Sequence, residues 1–191
     1  IPIAVNDVLG LIDKNRIFLD RTVGVGAIGS QLALSYGWTG PCLRATGVDY
    51  DVRKAEPYDA YGDLSFEVPT RPNGDSYDRI LIRFDEMVQS MRIIEQALDK
   101  LPGGPVMCDD KRVVLPEKER VYNSIEALMN HFVLIYDGIK VPKGESYVAT
   151  EGANGELGFY MIADGSGKPY RVRCRPPCFY LHQAFPQLVE G

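Results

Sequence analysis

Histidine and tryptophan are scarce, with two histidines and one tryptophan among 191 residues. Histidine is the side chain whose ordinary pKa lies nearest neutrality and the commonest metal ligand, so imidazole chemistry is confined to His131 and His182. Cysteine is scarce too: the four, at 42, 108, 174 and 178, form no CxxC pair. That excludes a disulfide-stapled secreted scaffold and suits a reduced compartment. No apolar run approaches the ~18 residues of a membrane-spanning helix; the longest are Ile1–Val5 and Phe132–Tyr136. Any membrane role is therefore expected to come through partners. Positive charge is in deficit, with 21 Lys and Arg against 26 Asp and Glu and a net charge of −5. This argues against a general nucleic-acid or anionic-membrane binder. No Ser/His/Asp arrangement, Walker loop or HExxH helix is present. No methionine precedes Met87, which leads us to expect a fragment or processed product, and no charged-then-apolar leader precedes the first helical segment.

What remains is an ordinary globular composition, 45% hydrophobic and 25% charged, without repeats or low-complexity stretches. Apolar residues from Leu9 to Leu34, punctuated by glycine, suggest two short helices or a helix and a turn. Residues 37–72 are dense in Gly, Pro, Asp and Tyr and predict a long ordered loop. Pro72-Asn73-Gly74-Asp75 then opens a helix whose apolar stripe is Leu81, Phe84, Val88, Met91, Leu98 and Leu101, spaced for one face. Pro102-Gly103-Gly104-Pro105 ends it. A second helix is expected over 117–136, with a stripe of Val121, Ile125, Leu128, Phe132 and Ile135 and a stop at Asp137-Gly138. After Pro142 the period falls to two. Asn154-Gly155 and Asp164-Gly165 are hairpin-turn pairs between the alternating runs. The reading is α+β: one incomplete domain over 1–191, mainly helical to 144, an antiparallel meander over 145–177 and a short helix over 178–191.

Four motifs carry a chemical and a plain reading each. Gly24-x-Gly26-x-x-Gly29 matches a dinucleotide fingerprint, with Asp49 at a suitable distance to hold a ribose. That site needs a buried strand before the glycines and a second strand ending at the acid, and Gly40–Val48 does not read as one. Close helix packing at small residues is the plain reading. Cys174-x-x-x-Cys178 offers two thiolates where zinc or iron–sulfur needs about four ligands; buried thiols are the alternative. Arg171, Arg173 and Arg175 alternate with Val172 and Cys174, so on a strand the arginines leave one face and the apolar residues are expected to enter the core. A solvated strand face and a subunit interface both fit those arginines. Finally, Asp49, Asp51, Arg53, Lys54, Glu56, Asp59 and Asp63 mix both signs. A hard-cation site wants oxygens without adjacent cations, so an ion-pair network pinning the loop is expected instead.

The segment from Ser35 to Lys54, containing Gly40-Pro41-Cys42-Leu43-Arg44 and Gly47-Val48-Asp49-Tyr50-Asp51, continues to Pro57-Tyr58 and Tyr61. Asn15-Arg16-Ile17-Phe18, Asn73-Gly74-Asp75, Tyr77-Asp78-Arg79, Gly155-Glu156-Leu157-Gly158 and Pro169-Tyr170-Arg171 occur in order around it. Together they resemble the 49-kDa-type (D) subunit family of respiratory complex I, the NADH:quinone oxidoreductase. The resemblance implies the fold of the nickel–iron hydrogenase large subunit, here without the metal-holding CxxC pairs. It implies a quinone-reduction chamber shared with the subunit that carries the terminal iron–sulfur cluster, near the membrane-arm junction. NADH, FMN and the iron–sulfur clusters would sit on partner subunits, quinone would be the substrate of the complex, and this chain would bind no cofactor itself. The implied location is peripheral, on the cytoplasmic face of a bacterial inner membrane or the matrix side of the mitochondrial one. The family's quinone-headgroup ligands, a histidine of an early loop and a tyrosine of the N-terminal half, match no residue here; neither His131 nor His182 fits. Arg44, Asp51 and Arg53 are candidates for structural ion pairs or subunit contacts, and Arg171, Arg173 and Arg175 form a second candidate surface. A hydrogenase-type large subunit of a related membrane complex and a soluble nucleotide-dependent oxidoreductase are the alternatives.

Overall fold

The structure is a computed structural model and describes residues 2–189. The first position and the last two of the expected 1–191 domain, and with them the end of the expected 178–191 helix, lie outside the described residues. The class is α+β, with helices and a three-stranded sheet in the order β1-β2-β3. The chain forms two compact units: residues 1–101 with 149–158 and 175–191, and residues 102–148 with 159–174.

In the first unit, helix α1 (Pro2–Ile12) leads to α2 (Arg16–Thr22), which starts where the Asn15 carboxamide accepts from the Ile17 and Phe18 amides. Such a cap supplies an acceptor for amides with no partner inside the helix. Helices α3 (Ser30–Ser35) and α4 (Gly40–Arg44) follow, and Pro41 occupies the first turn of α4. They build the core, in which Ile28, Ala33, Trp38, Cys42 and Leu43 pack with Ala184.

The stretch expected to be loop, 37–72, holds more regular structure than its composition announces. It contains α4, the one-turn helix α5 (Val52–Ala55) and a 3-10 turn at Tyr61–Asp63. Each is too short to show a hydrophobic period.

Helix α6 (Ser76–Asp99) lies where the sequence places it, capped by Asp75, whose carboxylate accepts from the Asp78 amide at 2.8 Å. Its inward face, however, is not the apolar stripe. The fully buried position is Ile82, flanked one turn away by buried Asp78 and by Glu86. Residues 64–73 run antiparallel to this face, and its polar side chains satisfy their backbone. Gln96 accepts from the Ser65 amide and donates to the Ser65 carbonyl, at 2.8 and 2.7 Å. Gln89 accepts from the Glu67 amide at 3.1 Å, Asp85 pairs with Arg71, and Asp78 accepts from the Asn73 amide at 2.9 Å. Lys100 donates to the Asp63 carbonyl at the far end. A segment without a sheet partner must place its amides and carbonyls somewhere, and this helix face supplies the partners. Val88, Leu98 and Leu101 of the expected stripe are exposed.

In the second unit the expected helix 117–136 is broken. Helix α7 (Lys118–Asn123) ends before Ser124, whose hydroxyl caps α8 (Ile125–Phe132) by accepting from the Ala127 amide, and a π-helical turn spans Val133–Asp137. Serine is a strong cap residue, and its preference overrides the continuous period. Gly138, at φ +74°, ends the run.

The meander is present as β1 (Gly144–Gly152), β2 (Gly155–Ala163) and β3 (Arg171–Arg175). Two residues, Ala153 and Asn154, separate β1 from β2, and Gly155 takes φ +125° there. Val172 and Cys174 do not enter a core: both are exposed on β3. Alternation decides which residues share a face; it does not supply a layer to cover that face. The C-terminal helix is split into α9 (Pro177–Gln183) and α10 (Phe185–Val189), with the break at Ala184 and Pro186 in the first turn of α10.

Candidate functional site

The most concentrated polar chemistry of the first unit surrounds Arg44, the last residue of α4 and only 1% exposed. Its guanidinium faces the carboxylates of Glu86, Glu151 and Asp51 and the Tyr50 carbonyl. Nε donates to Glu86 of α6 at 3.0 Å, Nη1 to the Tyr50 carbonyl at 2.9 Å, and both Nη1 and Nη2 to Oε1 of Glu151 on β1 at 3.0 Å. Asp51 stands 3.5 Å from Nη1. A planar fork matches this arrangement where a lysine, a point charge, would not.

Asp51 also binds its neighbour two residues on. Its carboxylate caps α5 by accepting from the Arg53 amide at 2.9 Å, and takes Arg53 Nε and Nη2 at 2.9 and 2.6 Å. Burial pushes the Asp51 carboxyl up, but the Arg53 hydrogen bonds and the charges of Arg53 and Arg44 overcome it and hold it below the usual range. Arg53 is desolvated as well, and its bonds to Asp51 outweigh that and raise it further. The Arg53 guanidinium lies 4.9 Å from the centre of the Phe66 ring, a geometry that favours a cation. Burial and the adjacent Glu156 carboxylate push the Tyr50 phenol up to about 12.

The candidate residues thus fall in different settings. Arg44, Asp51 and Arg53 share one buried cluster. Arg175, also in this unit, folds inward: it donates to the Gly37 and Glu156 carbonyls at 2.7 Å each and stacks over Tyr180. Arg171 and Arg173, in the second unit, are exposed. Glu86 and Glu151, which complete the Arg44 cluster, lie 42 and 107 residues from it in sequence, and no local pattern marks them.

The glycine fingerprint sits between α2 and α3; a Cβ at Gly24 or Gly29 would meet no atom within 4 Å, so close packing does not account for them, while Gly24 and Gly26 hold φ of +70° and +58°. Gly24 donates its amide to Asp75 at 2.8 Å, and Arg79 donates to the Gly26 and Gly74 carbonyls at 2.6 Å each. A methyl at Gly74, which holds φ +65°, would meet the Ile28 carbonyl oxygen at 2.2 Å. A helix rather than a strand precedes these glycines, and Asp49 is exposed. Cys178 accepts from Asn154 at 3.3 Å. Among the described residues no group of three or more His, Cys, Asp or Glu side chains is placed to hold a metal ion.

Bordered by a solvent-open groove of about 430 Å³ lined by Asp49, Tyr50, Asp51, Lys54, Ala55 and Val68, the cluster presents no nucleophile beside a base. Its chemistry is charge compensation: it fastens α4, the α5 loop, α6 and the turn end of β1 to one buried cation.

A family model described as the respiratory-chain NADH dehydrogenase 49 kDa subunit matches residues 1–191, and the chain belongs to that family. It is 57% identical over 188 residues to the NADH-quinone oxidoreductase D1 subunit of Sorangium cellulosum, covering 98% of this chain and 46% of that protein. Identity is 52% over 182 residues with the NADH-quinone oxidoreductase D subunit of Myxococcus xanthus, covering 95% of this chain and 44% of that protein. It is 53% over 186 residues with the C/D subunit of Bdellovibrio bacteriovorus, covering 97% of this chain and 33% of that protein. The chain therefore spans less than half the length of these relatives.

Proposed function

We propose that this chain is part of the quinone module of a proton-translocating NADH:quinone oxidoreductase and acts there as a subunit without independent activity. The observation that carries the reading is identity of 50–57% across nearly the whole chain to relatives named as D subunits of NADH-quinone oxidoreductase. Its partners in this reading are the subunit with the terminal iron–sulfur cluster and the membrane-arm junction. NADH, FMN and the clusters belong to those partners, and quinone is the substrate of the whole. No helix among the described residues is long and apolar enough to cross a membrane. In this reading the chain is held peripherally, on the cytoplasmic face of a bacterial membrane or the matrix side of a mitochondrial one.

The contribution of these residues is positional. Arg44, Asp51 and Arg53 hold the 50–72 segment in one conformation, as a rigid wall requires. Arg175 anchors the end of β3, and in this reading the exposed Arg171 and Arg173 meet carboxylates of a neighbouring subunit. No residue here is assigned as general acid, general base or quinone ligand.

A chimera tests the reading. The matching segment of the Myxococcus xanthus D subunit is replaced by this chain, and membranes are assayed for assembly and NADH:quinone reductase activity. Activity comparable to the parent supports the proposal. An unassembled complex, with activity returning when the parental segment is restored, overturns it.

A further inference from the structure

In the second unit one face of the sheet is uncovered. The two-residue turn between β1 and β2 sets Val148 opposite Phe159. The Tyr170 amide donates to the Ile162 carbonyl at 2.9 Å, which sets Arg171 opposite Met161 and Arg173 opposite Phe159. Side chains opposite one another share a face, so Val148, Phe159, Met161, Arg171 and Arg173 stand together. Phe159 and Met161 belong to the central strand, yet they are 40% and 42% exposed, and Val148 is exposed beside them. This stripe runs into a groove of about 420 Å³ whose lining includes Ile139, Val141, Met161 and Lys168. Among the described residues neither Arg171 nor Arg173 forms an ion pair. Glu145, an acid that lines the groove, is engaged by the Tyr160 hydroxyl. We propose that this face docks an acidic amphipathic helix of a partner polypeptide, its apolar side chains on the Val148, Phe159 and Met161 stripe and its carboxylates on Arg171 and Arg173.

Such a partner presupposes the subunit reading above and gives it a form. Three strands span about 10 Å, the diameter of a helix. Two residues along a strand cover about 6.7 Å, and four along a helix about 6 Å, so carboxylates one turn apart on the partner meet Arg171 and Arg173 together. An arginine fork takes a carboxylate through two parallel bonds, and the apolar stripe beside it supplies the area that a solvated ion pair lacks. A symmetric pair of copies is disfavoured, because it sets these arginines against themselves. The end of α6 carries the complementary pattern, with Glu95 and Asp99 beside exposed Ile94 and Leu98. Placed on this face of a second copy, however, it makes a head-to-tail contact that propagates from copy to copy.

The test places a benzophenone-bearing phenylalanine at position 159 of the full-length protein in its native assembly. After irradiation and digestion, the crosslinked peptide is sequenced. The expected peptide comes from a different polypeptide and carries two carboxylates four residues apart, with apolar residues at spacings of three and four on the adjoining face. Arg171→Glu with Arg173→Glu should lower its yield at least tenfold without moving the unfolding midpoint, since both side chains are exposed. Arg171→Gln with Arg173→Gln should lower it as well, and decides the matter if the reversed chain fails to fold. A crosslink to lipid, to a second copy of this chain or to a segment without that pattern overturns the proposal. So does an intact assembly that gives no crosslink, or a yield that survives both pairs of substitutions. A chain that never enters the assembly overturns the subunit reading instead, and the docked helix falls with it.

Discussion

Removing the Arg44 guanidinium leaves three carboxylates facing one another with Arg53 as the only remaining cation of the cluster. Breaking a buried pair in this way costs about 3–5 kcal/mol, so Arg44→Ala should lower the midpoint of urea unfolding well below that of neutral surface substitutions. Arg44→Lys keeps the charge but cannot span Glu86, the Tyr50 carbonyl and Glu151 together, and an intermediate loss is expected. A wild-type midpoint in both variants would show that the cluster stabilises nothing. Asp51 sets an acid limit in the same experiment. Its folded-state carboxyl is held low by Arg53 and Arg44. Its contribution is therefore present above the unfolded value of about 3.9 and lost as pH falls through the folded one. Asp51→Asn should flatten the acid limb of stability. An unchanged acid limb in Asp51→Asn would assign it to other carboxylates.

At the scale of elements, the joint between α6 and residues 64–73 rests on side-chain amides rather than on burial of an apolar stripe. Gln96→Ala deprives both the amide and the carbonyl of Ser65 of their partner. At about 1 kcal/mol per net hydrogen bond, losing both should make the Ser65 amide exchange with solvent up to about thirtyfold faster, with amides near Arg71 little changed. Exchange unchanged at Ser65 would show that other contacts hold the segment. This joint also shows where sequence reading stops. The extent of α6 is legible because the Asp75 cap and the Pro-Gly stop are local, and the meander is legible because its turn residues are. Which face of α6 turns inward is not. Hydrophobic periodicity marks the face with the most apolar surface, and here the face with the most hydrogen-bond capacity is the covered one. The Arg44 cluster is half legible for a similar reason. Arg44, Asp51 and Arg53 stand close together in a charged loop, but Glu86 and Glu151 reach it only through tertiary packing. Ser124 is equally visible as a residue, yet its cap competes with a continuous apolar stripe that favours the unbroken helix.

For the whole molecule the informative surface is the apolar one. In the second unit, α8 and the π-helical turn expose Ile125, Met129, Phe132, Ile135 and Tyr136, with Phe132 at 60% and Tyr136 at 81%. In the first unit Leu98 and Leu101, at the end of α6, are open as well. Scattered exposed apolar residues need no explanation, but neighbouring ones on a single helix do, because monomers rarely leave contiguous apolar patches uncovered. With Leu128 and Val133 there are seven such side chains within the twelve residues 125–136, a seam of the kind that a second helix covers. The chain spans less than half the length of its relatives. Purified alone, it should self-associate through this seam, with a weight-average mass in sedimentation that rises over a concentration series. Replacing Phe132 and Tyr136 by serine should shift that curve toward the monomer without changing unfolding of the first unit. A wild-type chain that sediments as a monomer throughout would mean that the seam is tolerated by solvent, and the exposed residues would then say nothing about a partner.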